Sequence, residues 1–508
     1  MRIIPDQKLI LGPPGCGKTT RCLAIIDEEL QRGVPPRRIA YVSFTRKAVG
    51  EAVERAALKF GLAQVELPFF KTLHALCFRV LNVNRKDVMS HAQYSELGAA
   101  LGYRFSTNNA ATAEDGLTSL SNEGDRLLFI DQLARSRCVT LDEQWHELND
   151  SNIDLFALKR LRQALVAYKR DTGKIDYTDM LQGAIDQNHA LDIDVVVIDE
   201  AQDLSPLQWA VCKVLFRDAQ RVYIAGDDDQ AIYRWSGADV EQFLTLEGQT
   251  EVLGMSYRLP RAVYRAAVDV IERVKQRFAK AWQPRDDEGS VQSLPHVELI
   301  DFTVPGTWLI LARNAYLLTD TEMLLRKAGV LFITRKGTSS VDPEHYDAIR
   351  TWERLRKGEP QPGSRITNMY DCLRPGSGIK RGARAESNFR PDAVYSDQDL
   401  RTNHGLLATG IWHDALEGIA LNTREYYLTV LRAGRKLSAA PQVQLSTIHA
   451  AKGGEADNVA LLTDMAQKTF QGYQKSPDDE QRTFYVGMTR AKRNLFLIDS
   501  KSQQGFSV

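Results

Sequence analysis

The sequence predicts an α/β fold built on parallel sheets, and three stretches predict it. Val195-Val196-Val197-Ile198 is a β-branched apolar run of the kind buried on both faces of a parallel sheet. Arg221-Val222-Tyr223-Ile224-Ala225 reads as a second such strand, and Lys8-Leu9-Ile10-Leu11 as a third, followed at once by a glycine-rich loop and a helical pattern through Leu30. Open α/β sheets bind ligands outside the carboxyl ends of their strands. Here those ends carry Asp199-Glu200-Ala201-Gln202-Asp203 and Gly226-Asp227-Asp228-Asp229-Gln230, with Tyr233-Arg234-Trp235-Ser236-Gly237 just beyond. Carboxylates, an amide and an aromatic cluster are therefore expected at one sheet edge, as a phosphate and metal site beside a stacking surface.

Composition bounds the rest. A chain of 508 residues holds roughly three or four domains of ordinary size. Lys plus Arg and Asp plus Glu each number 65, so no global positive field announces a polyanion partner and any nucleic-acid site is a local patch. Cys16, Cys22, Cys77, Cys138, Cys212 and Cys372 form no C-x-x-C pair, which argues for a reducing compartment without zinc or a disulfide frame. No apolar run is long enough to cross a membrane, and Met1 to Asp6 is too short for a signal peptide, so a soluble intracellular protein is expected.

Gly12-Pro13-Pro14-Gly15-Cys16-Gly17-Lys18-Thr19, continued by Thr20, spells G-x-x-x-x-G-K-T in the strand-loop-helix setting that the motif requires. The glycines let backbone N-H groups wrap phosphates, the helix N-terminus adds its dipole, Lys18 reaches the outer phosphates, and the Thr19 hydroxyl is a magnesium ligand. Cys16 sits where a helix dipole lowers a thiol pKa, although a small filler in a tight loop is the simpler reading. Asp199 suits the metal, and Glu200 suits taking the proton from the attacking water. Gln230 suits orienting that water or sensing the terminal phosphate. Tyr233 and Trp235 offer a stacking plate for a base, although Trp235 also suits a domain core.

Arg38 to Val42 reads as a further strand that delivers Ser43-Phe44-Thr45-Arg46-Lys47, where Thr45 suits a phosphate and Phe44 a base. The mixture recurs at Phe69 to Ala75 with Thr72 and His74. Residues 82–170 read as a mostly helical insertion whose Arg135, Arg137, Lys159, Arg160, Arg162, Lys169 and Arg170 form a solvated basic face. A second sheet shows in Trp308 to Ala312, Val459 to Leu462 and Asn494 to Ile498. Thr447-Ile448-His449-Ala450 echoes Thr72-Leu73-His74-Ala75. Two sister domains gripping one repetitive polymer need equivalent backbone clamps, so Thr72, His74, Thr447 and His449 are expected to hold phosphates of one strand, a few nucleotides apart.

Asp-Glu-Ala-Gln-Asp at 199–203, Gly-Asp-Asp-Asp-Gln-Ala-Ile-Tyr-Arg-Trp at 226–235 and the glycine-rich loop resemble the UvrD/Rep branch of superfamily 1 helicases. Met255-Ser256-Tyr257-Arg258, Ser446 to Glu455 and Phe484 to Lys492 resemble three later motifs, in the family's order. The resemblance implies two RecA-like P-loop domains, at 1–81 with 171–258 and at 259–339 with 441–508. Each would carry a smaller insertion, at 82–170 and at 340–440, the second reduced and with a flexible loop near 374–391. It further implies ATP and Mg2+ as cofactors, Arg258 and Arg490 as arginine fingers, Tyr257 stacked on adenine, and Glu455 sensing the sugar.

The activity so implied is an ATP-dependent helicase moving on single-stranded DNA, 3′ to 5′, at duplex junctions. Rival readings are a translocase that strips proteins with weak unwinding and a binding module with an inactive nucleotide site. A monomer in the cytoplasm, associated with the nucleoid and with repair or replication proteins, is expected. Three departures stand out. Gln7 lies too close to the loop to match the family's adenine-reading glutamine, which predicts relaxed nucleotide choice. Gly454 replaces a bulky apolar residue and Ser236 a common arginine, which predicts altered coupling or base contacts. The chain ends soon after Arg490, so no appended nuclease domain is expected.

Overall fold

The computed structural model describes residues 3–4, 6–43, 46–106, 122–148, 152–386 and 388–508. The first half of the chain builds a six-stranded parallel sheet from β1 (Gln7–Leu11), β2 (Ile39–Ser43), β3 (Phe70–Lys71), β4 (Val195–Asp199), β5 (Arg221–Gly226) and β6 (Gln249–Val252). The strand order is β3-β2-β4-β5-β1-β6. Every residue of β4 is buried, as a continuous β-branched run demands of a strand covered by helices on both faces. Register decides which side chains meet: Ser43 pairs with Asp199 and Leu11 with Gly226. The glycine-rich loop, both carboxylates of β4 and the turn after β5 thus leave the sheet at one edge.

A second sheet repeats the plan. It comprises β7 (Ser290–Leu294), β8 (Trp308–Ala312), β9 (Phe332–Ile333), β12 (Val443–Thr447), β13 (Ala456–Leu462) and β14 (Ala491–Ile498), all parallel, in the order β7-β14-β13-β8-β12-β9. Between β9 and β12 lies a small antiparallel pair, β10 (Gln361–Pro362) with β11 (Val394–Tyr395). Two parallel sheets of this kind are two RecA-like domains. No helix among the described residues is long and apolar enough to cross a membrane.

The residues expected to form a helical insertion carry the helices His91–Leu101, Glu123–Ser136, Leu141–Leu148 and Leu155–Thr172. These pack round a core of their own that includes Leu97, Leu127, Ile130, Leu158 and Leu161. The basic face foreseen there as solvated is in part an ion-pair network. Arg135 binds Asp131, Asp176 and Asp179, while Lys169 meets Asp176 at 2.9 Å and Asp179 at 2.6 Å. Sequence spacing places the cations on helices but is blind to Asp176, which caps the helix Tyr177–Asp186 next to the first sheet domain.

The stretch 374–391 also differs from expectation. It has few apolar residues, yet they are used: Ile379 and Ala383 are buried and Phe389 packs edge-on against Tyr370 at 4.8 Å. Arg384 donates to the carbonyls of Tyr370, Asp371 and Leu373, closing the end of the helix Gly363–Asp371.

Burial alone would raise the Asp176 pKa, but Arg135 and then Lys169 outweigh it and hold the carboxyl well below its usual range. Its contribution to stability is therefore complete at neutral pH and is lost only as the pH falls through the acid range. Asp176→Ala leaves Asp131 and Asp179 alone to balance the two cations, removes a helix cap, and is expected to cost about 3–5 kcal/mol. Thermal melts at neutral pH are the check, and the difference from wild type should shrink on acidification.

Candidate functional site

The loop after β1 is shaped by close approach. Gly15 and Gly17 have φ of 72° and 79°, in the left-handed region where glycine is unstrained. A Cβ on Gly12 would lie 2.0 Å from Lys18 Cγ, and one on Gly15 would lie 2.3 Å from Arg258 Cβ. Lys18 starts the helix Lys18–Gln31, is buried, and donates to Gly12 O at 3.3 Å while facing Glu200 at 3.5 Å. Burial opposes its charge, but Glu200 and Asp227 more than compensate and keep the ammonium firmly protonated. Cys16 is the filler of the simpler reading: burial pushes its thiol up to about 11, which leaves the thiolate scarce at neutral pH.

Thr19 donates to Asp199 Oδ2 at 3.2 Å, so the hydroxyl and the carboxylate foreseen as metal ligands are brought together. Glu200 sits in the left-handed region at φ 54°, an uncommon and strained conformation for a residue with a side chain. Gln202 donates to Glu200 Oε2 at 2.6 Å and accepts from the Asp227 backbone at 3.0 Å, tying the ends of β4 and β5. Burial raises the Asp199 pKa and Glu200's charge adds to it. For Glu200, burial is overcome by Lys18 and then Lys452, and its carboxyl is lowered. Two adjacent carboxyls are thus driven in opposite directions, Asp199 up and Glu200 down.

The turn after β5 is bound into both domains. Gln230 donates to Asp227 Oδ2 at 2.6 Å and accepts from Arg490 Nη2 at 3.0 Å. Arg490, on the second domain, is buried, and among the described residues its guanidinium donates to neutral groups alone: Val486 O, Gly454 O, Thr489 Oγ1 and Gln230 Oε1. Burial and the nearby Arg258 both lower its pKa, so an anion entering there is strongly favoured. Arg258 pairs with Glu455 at 2.8 Å, and Ser256 and Tyr257 fasten the same segment to Pro14 O and Gly15 O. The exposed ring of Tyr257 lies beside Gly17. Lys452 crosses from the second domain to Asp203, at 2.7 and 2.6 Å, and to Gln230 O at 2.7 Å.

The sequence suggested that Asp227, Asp228 and Asp229 all face a ligand. Instead Lys280, wholly buried, meets the three at 2.7, 2.5 and 2.9 Å, and Arg277 takes Asp229 through two bonds. Three adjacent carboxylates cannot stay charged together without cations, and a segment fifty residues downstream supplies them. Gln7 has a structural place, accepting from Ile3 N and donating to Glu247 O.

Tyr233 and Trp235 stand edge to face at 6.3 Å, Trp235 meets the His449 ring at 6.3 Å, and Tyr233 donates to His449 O at 3.2 Å. Trp235 is only partly buried. His449 is buried, and burial holds it neutral, well below the usual histidine range. The echo between the domains has a local basis. Thr72 accepts from Ala75 N at 3.4 Å, and Thr447 accepts from Ala450 N at 3.1 Å, each at the end of a strand. Thr72 and His74 line a separate groove of about 1230 Å³ with Lys71, Arg85 and Tyr177; the exposed Tyr177 ring meets His74 edge-on at 5.9 Å. Phe44 and Thr45 lie outside the described residues.

Sequence reasoning assigned no part to Tyr41, Lys280, Asp203 or Lys452. The last two stand inside quoted motifs, so proximity was a usable signal. Tyr41 and Lys280 carried none.

A phosphate loop on one parallel-sheet domain, and an arginine of a second that reaches the first through Gln230, define a two-domain P-loop nucleotide hydrolase. Comparison with known proteins then narrows the class. The UvrD/REP helicase N-terminal domain matches residues 3–251, and the UvrD-like helicase C-terminal domain matches residues 426–502. A putative ATP-dependent DNA helicase, YjcD of Bacillus subtilis, is 24% identical over 98% of this chain and 77% of its own length. The ATP-dependent DNA helicase PcrA of Staphylococcus epidermidis is 23% identical over 58% of this chain, and PcrA of Staphylococcus aureus 23% over 54%. These alignments span 42% and 39% of the two PcrA proteins. The chain belongs to the UvrD/REP family of ATP-dependent DNA helicases.

Burial pushes Asp203 up to about 6 despite Lys452 beside it. A carboxyl whose folded pKa exceeds its unfolded one stabilises the fold below the unfolded value, and this is lost as the pH rises through the folded one. Asp203→Asn is therefore expected to gain stability relative to wild type between about pH 4 and about pH 7, which melts across that range will test.

Proposed function

We propose that this protein translocates 3′ to 5′ on single-stranded DNA, from a tail into a duplex junction, using ATP split between its two domains. The observation that carries the reading is Gln230: its amide joins Asp227 of the first domain to Arg490 of the second, and the same turn runs on into Tyr233 and Trp235. Phosphate state and strand grip then share one short segment.

The donors fit a hard cation. Thr19 and Asp199 offer oxygen, and among the described residues no group of three His, Cys, Asp or Glu forms a protein cage. This suits magnesium, which keeps waters and takes phosphate oxygens as ligands. When bound, it supplies charge neutralisation on the outer phosphates. The loop 12–20, from Gly12 through Thr20, wraps the phosphates and Lys18 reaches their outer oxygens. Glu200, ionised and aimed by Gln202, takes the proton from water. Gln230 orients that water, and Arg258 and Arg490 meet the charge on the transferred phosphoryl, an effect worth about 10³ to 10⁵ in rate. Tyr257 covers the base, and Glu455 holds Arg258 and senses the sugar. Trp235 and Tyr233 stack on bases, while the turns at Thr72 and Thr447, with His74 and His449 beside them, clamp phosphates of one strand.

ATPase turnover is expected to rise with single-stranded DNA and to be abolished by Glu200→Gln. Tailed duplexes fix the direction: a 3′ tail should support unwinding and a 5′ tail should not. Equal turnover with and without oligonucleotide, unaffected by Trp235→Ala, contradicts the motor. Thr72→Ala and Thr447→Ala should each weaken single-strand binding, read by fluorescence anisotropy at several salt concentrations; affinity and salt slope both left untouched contradict the clamp. With Gln7 committed elsewhere, GTP should be split at a rate comparable with ATP; a negligible GTPase rate contradicts relaxed nucleotide choice.

A further inference from the structure

Tyr41, on β2, reaches the interior of the first sheet domain beside Asp199. It is fully buried, and its ring stacks on Phe70 of β3 at 5.6 Å with planes 26° apart. Its hydroxyl donates to Asp199 Oδ2 at 2.6 Å. That oxygen also accepts from Thr19 at 3.2 Å, and Asp199 Oδ1 accepts from the Glu200 backbone at 2.9 Å.

Each carboxylate oxygen offers about two lone-pair sites. Oδ2 has spent both, on Tyr41 and Thr19, and Oδ1 keeps one. A hydroxyl that sends its hydrogen to Oδ2 keeps its own lone pairs for another partner. Oδ1, or a water upon it, is then the part of Asp199 left for a cation. Resting on the reading that Thr19 and Asp199 hold magnesium, we propose that Tyr41 is a positioning residue for the metal. Its hydroxyl holds the Asp199 carboxylate through Oδ2, so that Oδ1 would be the oxygen left to hold the cation beside the Thr19 hydroxyl.

Outer partners of metal ligands typically contribute about 10- to 100-fold in metal affinity or activity. Tyr41→Phe removes the hydroxyl and leaves the ring on Phe70. The experiment titrates magnesium into the full chain with an N-methylanthraniloyl ADP, reading fluorescence, beside the affinity of that nucleotide in EDTA and the melting temperature without metal. The expected result is a magnesium midpoint raised about tenfold, with EDTA affinity and metal-free melting unchanged. An unchanged midpoint overturns the proposal. So does a midpoint that rises only in step with weaker EDTA affinity and lower melting, since that marks a merely structural tyrosine. Thr19→Ala separates the two levels: if it leaves the midpoint alone, the magnesium reading itself falls, and if it moves the midpoint while Tyr41→Phe does not, only the Tyr41 assignment falls.

Discussion

The structure depends on cations of one domain being buried against the other. Arg490 leaves the second sheet domain and ends, out of water, on an amide of the first. Lys452 does the same against Asp203 and the Gln230 carbonyl. A guanidinium held by neutral acceptors is incompletely satisfied, because charge in a low-dielectric site calls for countercharge. The cleft is therefore poised for a polyanion, and whatever enters must be read by groups from both sides at once.

That poise requires rigid support behind the turn that bears Gln230. Asp227, Asp228 and Asp229 meet one ammonium, and Phe278 N donates to Asp228 at 2.9 Å. Arg482 adds a bond to Asp228 O at 3.0 Å. One face of the turn is thus fastened to the segment that follows Arg258, and the other to Gln202 through Asp227 N. Motion of the second domain has a mechanical route to Gln230 and on to the Tyr233 and Trp235 rings against His449. The strained backbone of Glu200 lies on the same edge, where neighbouring bonds hold it.

Much of the site was legible because it is written in short contiguous stretches. Periodicity located β4 and β5, and the spacing of Gly12, Gly17, Lys18 and Thr19 announced a phosphate loop. The nature of adjacent residues told Asp199 from Glu200 only in part. Burial and then Glu200 raise Asp199, while for Glu200 burial is overcome by Lys18 and by Lys452, which comes from the other end of the chain. The basic residues of 135–170 and the Arg384 segment were misread for a related reason. A charged side chain looks solvated in sequence whenever its partner is distant, as Asp176 is from Arg135 and as the carbonyl of Tyr370 is from Arg384.

By itself, then, the order of residues determined the parallel α/β class and the kinship with the UvrD/REP helicase family, since both depend on local spacing and side-chain type. Only tertiary structure decided which groups share a lone pair or a proton: Tyr41 on Asp199, Lys280 among three aspartates, Arg490 on Gln230. Hydrogen bonds and buried charges act over about three ångströms, a range that strand register and domain contact set and that separation along the chain does not encode.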